Sequence, residues 1–447
     1  MARLLLLILL IPLFRLVSDV PVEPAVLAGH VRLDALSAWF ITLIGAATLL
    51  HKDRTVGRRR WASASALFLA VLLTSLPGIA VAFAIAVLLE YLPLGADRPD
   101  YRRLALPIAL AAVAALALAA FSIGNDAAAW RYNDPVAGLG LNSPAFALIL
   151  CATLQSLLDE LFPAERPFAP LILRLAWFYP LLRLYSLGSW NTGWLLATLL
   201  LGSGLAITAA WRALADTEHR RRGAHLAGFS LGLALAGAGL GSAAGLAAAA
   251  YALLSALLLH TALARPAADP PDELLAALLR NVAPVAPPPA QHPRRYLPWL
   301  LAPVLPFSTP FVATWMAMAA AASGGLPALA MLLWGAGLLS GLAFLQGFLG
   351  SDWPATRRLH GLALTSLGLG LAAPLVLRFA LQPLAEQLAG GLSPLGDIRI
   401  WPWAGMLALD SAARTWAALP SLALIAVLLI NAALVWLAWR FGEALER

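Results

Sequence analysis

Long apolar runs alternate with short charged or proline-rich breaks along almost the entire chain. A helix that crosses a bilayer needs about 20 mostly apolar residues, because the hydrocarbon layer is ~30 Å thick and each helical residue rises 1.5 Å. Runs of this kind fall near 2–17, 34–50, 61–76, 78–94, 104–122, 143–161, 169–187, 190–212, 224–240, 242–263, 298–321, 326–348, 360–384 and 417–441. The pattern predicts an all-α, polytopic membrane helix bundle of about fourteen transmembrane helices. The first run opens like a signal peptide, but no small-residue cleavage site follows it, so a retained helix is expected.

Basic residues test the same division independently, because cytoplasmic loops of membrane proteins collect Lys and Arg. With the N-terminus inside, the inside loops hold Lys52, Arg54 and Arg58 to Arg60, then Arg98, Arg102 and Arg103, then Arg212 and Arg220 to Arg222. Arg265, Arg280, Arg294, Arg295, Arg357, Arg358, Arg440 and Arg447 join them, whereas the opposite loops hold Arg32, Arg131, Arg399 and Arg414. Both termini are therefore expected in the cytoplasm, with the chain in a prokaryotic cytoplasmic membrane.

Composition agrees: 61% of the 447 residues are hydrophobic, 12% are charged, and the mean hydropathy is +0.81, which leaves little for a soluble domain. The formal charge of +7 is accounted for by the inside loops and needs no nucleic acid partner; the expected surroundings are the lipid bilayer and other membrane helices. Cys151 is the only cysteine, which excludes an internal disulfide and any cysteine-built metal or iron–sulfur site. Phosphate-binding, HExxH and dinucleotide-binding patterns are lacking too, so neither a cofactor nor a metal is expected. The many glycines and alanines of 227–250 suit close helix packing in lipid.

Two breaks in the series are long. Residues 265–297 carry eight prolines and form an inside linker, and 385–416 is a polar outside loop with Trp401 and Trp403. Prolines also fall near or inside spans: Pro163, Pro167, Pro170 and Pro180 in one region, and Pro303, Pro306 and Pro310 in another. Proline removes a backbone donor and clashes with the preceding turn, so these helices are expected to break or kink. Broken helices in two halves of a chain point to an inverted-repeat transporter.

Six strings, in order, resemble one family, the antiporter-like subunits shared by respiratory complex I, membrane-bound hydrogenases and Mrp-type cation/proton antiporters. Residues 32–40, RLDALSAWF, resemble its RLDxLSxxF helix entry, and 85–94, IAVLLEYLPL, its helix with a buried Glu before a Leu-Pro pair. Residues 161–170, LFPAERPFAP, resemble a worn WLPxAxxxAP, and 179–184, YPLLRL, resemble YGLLRL. The longest string, 213–230, ALADTEHRRRGAHLAGFS, resembles ALxxTDxKRLLAYSSIS, and 301–315, LAPVLPFSTPFVATW, resembles the broken helix LAGxPxxxGFxxK. The resemblance implies two inverted five-helix repeats with broken helices. It divides the chain into N-terminal helices 1–60, a first repeat 61–187, a second repeat 188–348 that includes the linker, and C-terminal helices 349–447.

In that family a central row of buried Glu, Lys and His relays protons, and here the pattern is depleted. Lys52 is the only lysine and lies in a loop. The family Glu falls on Glu90. The first-repeat lysines fall on Ala152 and on Leu175 or, with one residue of slip, Arg174. In the second repeat a His falls on Ala256, the following lysine on His260, and the Lys or Glu of the broken helix on Thr314.

Each candidate has two readings. An intramembrane Glu90 is a functional group by default, or else it is hydrated at the interface beside Arg98. Arg174 cannot release protons, so its role would be a static ion pair with Glu90, while Arg183, nine residues on, snorkels to the headgroups. His260 passes a proton near neutral pH or simply faces the inside loop. Thr314, Ser308 and Thr309 line a water file or satisfy carbonyls freed by proline. Asp159 and Glu160, with Gln155, mark a half-channel mouth or a solvated helix end. HRRRGAH at 219–225 is a cytoplasmic turn whose charge also suits anionic lipid or an acidic partner loop.

The expected function is a membrane-embedded, antiporter-like subunit that contributes to proton or cation translocation beside other membrane subunits, with no catalytic chemistry of its own. A non-conducting structural paralogue that docks or seals its neighbours is the alternative. A polytopic membrane transferase would have to use Asp19, Glu23 and Asp34 of the first loop.

Overall fold

The computed structural model describes residues 31–50, 57–92, 99–122, 146–154 apart from 152, 168–187, 192–216, 219–263, 301–349 apart from 306, 357–388 and 433. Helices form where the apolar runs lie, within a few residues at each end. In chain order they are α1 (Ala35–Leu50), α2 (Gly57–Leu72), α3 (Leu76–Tyr91), α4 (Pro99–Ser122), α5 (Phe168–Leu187), α6 (Thr192–Ala215), α7 (His219–Gly239) and α8 (Ala243–Leu263). Then come α9 (Thr309–Ser323), α10 (Pro327–Leu349), α11 (Arg357–Leu371), the short α12 (Ala373–Val376), a π-helical turn (Leu377–Leu381) and α13 (Gln382–Leu388). The extended backbone named among the described residues is one isolated antiparallel bridge between Val31 and Leu73. The spans near 2–17 and 417–441 and the linker 265–297 lie outside the described residues.

The surface of the bundle is apolar. Val81, Ile85 and Leu88 stand out from α3, Leu196 and Leu200 from α6, and Met331 and Leu332 from α10. An exterior of this kind would draw molecules together in water, and in a bilayer it is what lipid wets. Four described helical segments are long and apolar enough to cross a membrane: Arg103–Ala120, Thr192–Ala215, Ala243–Leu263 and Pro327–Gln346.

Helix α8 is the central post and is buried along almost its whole length. It packs against α7, α9, α11 and α13, and also against α1 and α5 of the first half. Small residues make this density possible. A Cβ on Gly202 of α6 would strike the backbone nitrogen of Ala236 on α7, and one on Gly232 of α7 would strike that of Ala206 on α6. The two helices therefore touch backbone to backbone, a contact that dispersion holds together in lipid without help from the hydrophobic effect.

Prolines act in two ways. Just before α9 the described residues 302–305, 307 and 308 are irregular, Phe307 has φ +67°, and Ser308 caps the new helix by accepting from Phe311 N at 3.1 Å. This is the break expected from Pro303 and Pro310. Pro180, by contrast, sits inside a continuous α5, so the expectation of a break there is corrected. Neighbouring helices support that stretch on its buried sides, and one missing donor is tolerated. A second discontinuity, at Ala372 and the π turn, falls where the sequence suggested one unbroken helix over 360–384.

Because Gly202 and Gly232 meet backbone, Gly202→Leu or Gly232→Leu is expected to destabilise the fold by about 1–3 kcal/mol through overpacking. Gly204, with nothing within 4 Å of a Cβ, should accept Ala freely. Thermal unfolding of the purified protein in detergent checks both.

Candidate functional site

The first cluster is built by two of the strings singled out in the sequence. Asp34 precedes α1 and caps it: Ser37 N donates to Asp34 Oδ1 at 2.8 Å. Its other oxygen, Oδ2, accepts from Arg183 Nη2 on α5, and both side chains are buried. The same guanidinium reaches Ser37 Oγ at 3.2 Å and lies 5.2 Å from the centre of the Tyr179 ring. Ser37 Oγ and Tyr179 Oη both donate to Val71 O on α2, at 2.9 and 2.7 Å. One aspartate, one arginine and two hydroxyls thus tie α1, α2 and α5 together beside the α2–α3 turn.

This corrects two expectations. Arg183 does not snorkel to headgroups, and Asp34 is not an open loop carboxylate available to a transferase. Ion-paired burial explains both, since a charge withdrawn from water persists only with a partner and further hydrogen bonds. Sequence reasoning missed the pair because its members are 149 residues apart.

The anchor also fixes the direction of α5. With Arg183 and Tyr179 held at the α2–α3 turn, α5 runs antiparallel to α3, and Phe83 stacks on Trp177 with ring centroids 4.6 Å apart. Glu90 is seven residues beyond Phe83 and Arg174 three before Trp177, so both lie on the far side of that stack from Asp34. At 1.5 Å per residue their backbone levels differ by ~6 Å. Seven and three residues bring a helix back to within about 20° and 60° of its starting face, so both residues lie towards the sides of α3 and α5 that meet at the stack.

Four of the candidates are buried: Glu90 is 8%, Arg174 6%, His260 5% and Thr314 5% exposed. His260, in the last turn of α8, is flanked by Leu259 and Leu263, which join an apolar cluster with Ala213, Leu226, Leu301 and Leu359. It is buried beside that cluster. Thr314 Oγ1 donates to Pro310 O at 2.9 Å and lines a narrow cleft with Pro303, Phe311, Trp315 and Trp334. The helices that carry the four pack in series, α3 on α5, α5 on α8, and α8 on α9. Asp159, Glu160 and Gln155 lie outside the described residues.

A hydroxyl cluster unforeseen from sequence joins the two discontinuities. Thr309 N donates to Ser366 Oγ at 3.1 Å, Thr309 Oγ1 donates to Ser366 O at 2.9 Å, and Tyr251 Oη donates to Leu369 O at 2.8 Å. Nearby, Ser230 and Ser255 share a hydrogen bond of 3.0 Å between α7 and α8. At the other end of α7, Arg222 donates to Ala213 O at 3.1 Å and to Asp216 O, and His225 Nε2 lies 3.5 Å from Asp216 Oδ2. Part of the basic HRRRGAH turn is thus folded inward as a cap on α6. Among the described residues no group of three His, Cys, Asp or Glu could hold a metal.

No family model matches the sequence, and no curated protein matches it. Solved structures do. A chain of the Mrp complex from a Dietzia species is 18% identical with a TM-score of 0.69, over 98% of this chain and 52% of that one. A chain of respiratory complex I from Thermus thermophilus is 20% identical with a TM-score of 0.63, over 88% and 94%. A chain of the archaeal membrane-bound sulfane sulfur reductase is 12% identical with a TM-score of 0.65, over 87% and 91%. The chain has the antiporter-like fold. It is an integral membrane protein, and it spans about half the length of the Mrp chain and nearly all of the other two.

Arg183→Ala should cost about 3–5 kcal/mol by leaving the Asp34 carboxylate buried without its partner. The double change Asp34→Asn with Arg183→Gln should cost less, because no lone charge remains. Comparing the two melting temperatures tests the assignment.

Proposed function

We propose that this antiporter-like membrane subunit carries part of a proton path in a complex I-related or Mrp-type assembly. The observation that carries the reading is Glu90, an acid withdrawn from water in the α3–α5 interface near the level of a fixed cation. An ionisable side chain is expensive at that depth and is retained where it does something. Arg174 holds its charge at every physiological pH, so it stabilises the carboxylate without relaying. Glu90 and His260 are the members that gain and lose protons, and Thr314 offers a hydroxyl to water at the break before α9.

Two inverted repeats, 61–187 and 188–348, supply the frame, with α5 and α9 as the helices nearest the proline-rich breaks. Partner subunits supply the driving event, since this chain offers no redox group of its own. The excess of basic residues in alternate loops supports a cytoplasmic side for both termini.

One observation favours a second reading, a non-conducting paralogue that seals neighbouring subunits. Leu175 and Ala256, which match relay positions, are buried and apolar. Proton flux in vesicles holding the intact assembly separates the two. Glu90→Gln is expected to reduce flux to that of vesicles lacking the chain, with all subunits still bound; unchanged flux leaves the sealing role.

A further inference from the structure

We propose that the Asp34–Arg183 pair is a positioning device that sets the register of α5 and so holds Arg174 opposite Glu90. The inference rests on the proposed function only in taking Glu90 as the group that binds a proton.

Its basis is the geometry of one helix with two buried arginines on different faces. Arg183 and Tyr179, four residues apart, face α1 and α2, where they meet Asp34, Ser37 and Val71 O. Trp177 faces α3, where it stacks on Phe83, and Arg174, three residues before it, lies within about 60° of the same side of the helix. Both sets ride on the continuous Phe168–Leu187 helix, so sliding one slides the other. Arg183 is six residues beyond Trp177 and Glu90 seven beyond Phe83 in the opposite sense, which separates them by ~20 Å along the bundle. At that range the pair, being neutral as a whole, has almost no direct field at Glu90; its influence is carried by where α5 places Arg174.

A lock of this type needs more than one bond, because a single bond lets a helix turn about it. Here the aspartate also caps α1, and the two hydroxyls converge on one carbonyl of α2. Three helices must move together before α5 can slip.

The test reads the protonation of Glu90 directly, in the full chain within its assembly. The infrared carboxyl band lost in Glu90→Gln identifies the group, and its intensity is followed against pH. In Asp34→Asn with Arg183→Gln, which removes both charges, the midpoint should move by about one unit or more as Arg174 leaves its place. Arg183→Lys, which keeps the charge at the anchor, should hold the midpoint at the wild-type value. Should the neutral double variant fail to fold, Asp34→Glu keeps the pair but lengthens it by one methylene, and it should move the midpoint as well. An unchanged midpoint in the folded variants, or a Glu90 band that titrates in none of them, overturns the proposal even where melting temperatures fall. Failure of the proton-path reading shows separately, as unchanged flux in Glu90→Gln.

Discussion

Inside hydrocarbon every backbone N–H and C=O must find a partner within the protein, and the architecture follows from how this chain meets that demand. In the regular helices the ladder suffices. Hydroxyls there turn back on their own helix, as Thr48 Oγ1 does to Ile44 O and Thr198 Oγ1 to Trp194 O. Where the helix stops, hydroxyls reach across instead. Ser308 Oγ bonds Ala302 O at 2.8 Å, Thr309 bridges to Ser366, and Tyr251 holds Leu369 O. The breaks are thus closed by neutral side chains, which leaves charge free to be placed elsewhere.

Close packing is the second half of the same solution. Lipid is as apolar as leucine, so helices gain little by hiding aliphatic surface from it, and association depends on contact. Glycine at 202 and 232 brings α6 and α7 together at backbone distance, and alanine along α8 lets seven neighbouring elements surround one post. A central helix this crowded has no lipid-facing side. Any polar residue on it, such as His260 or Ser255, meets only other protein.

The helices were legible in the sequence because length and hydropathy alone select them in a bilayer, and the observed ends of α1, α5, α8 and α10 fall within a residue or two of the apolar runs. For Glu90 and His260 the sequence left a buried and a hydrated reading open, because both sit near the ends of their apolar runs. The π turn at Leu377–Leu381, which touches α8, was not legible, since nothing in LRFAL distinguishes a π turn from an α-helical one. Nor was the Asp34–Arg183 bond, although both strings that hold it stood out. An acid just before one helix and an arginine near the end of another, assigned to the same side of the membrane, were the available signal.

If a one-residue slip puts Arg174 at the family's lysine position, arginine in place of lysine bears most on what the polar row can do. A lysine withdrawn from water has a proton affinity that falls into the range of turnover, so it can pass a proton on, whereas a guanidinium stays charged. With Arg174 in the α3–α5 interface, positive charge there is permanent and only the carboxylate beside it can change state. If a proton path runs through the first half, Glu90 is the group that would have to alternate beside that fixed charge. The strength of that charge's field depends on separation and on the dielectric between the two groups, and on the proposed anchoring α5 sets the separation. On the proposed positioning, a degree of freedom that lysine would have supplied through its own protonation would pass to the geometry of a helix, held by the buried pair at its far end.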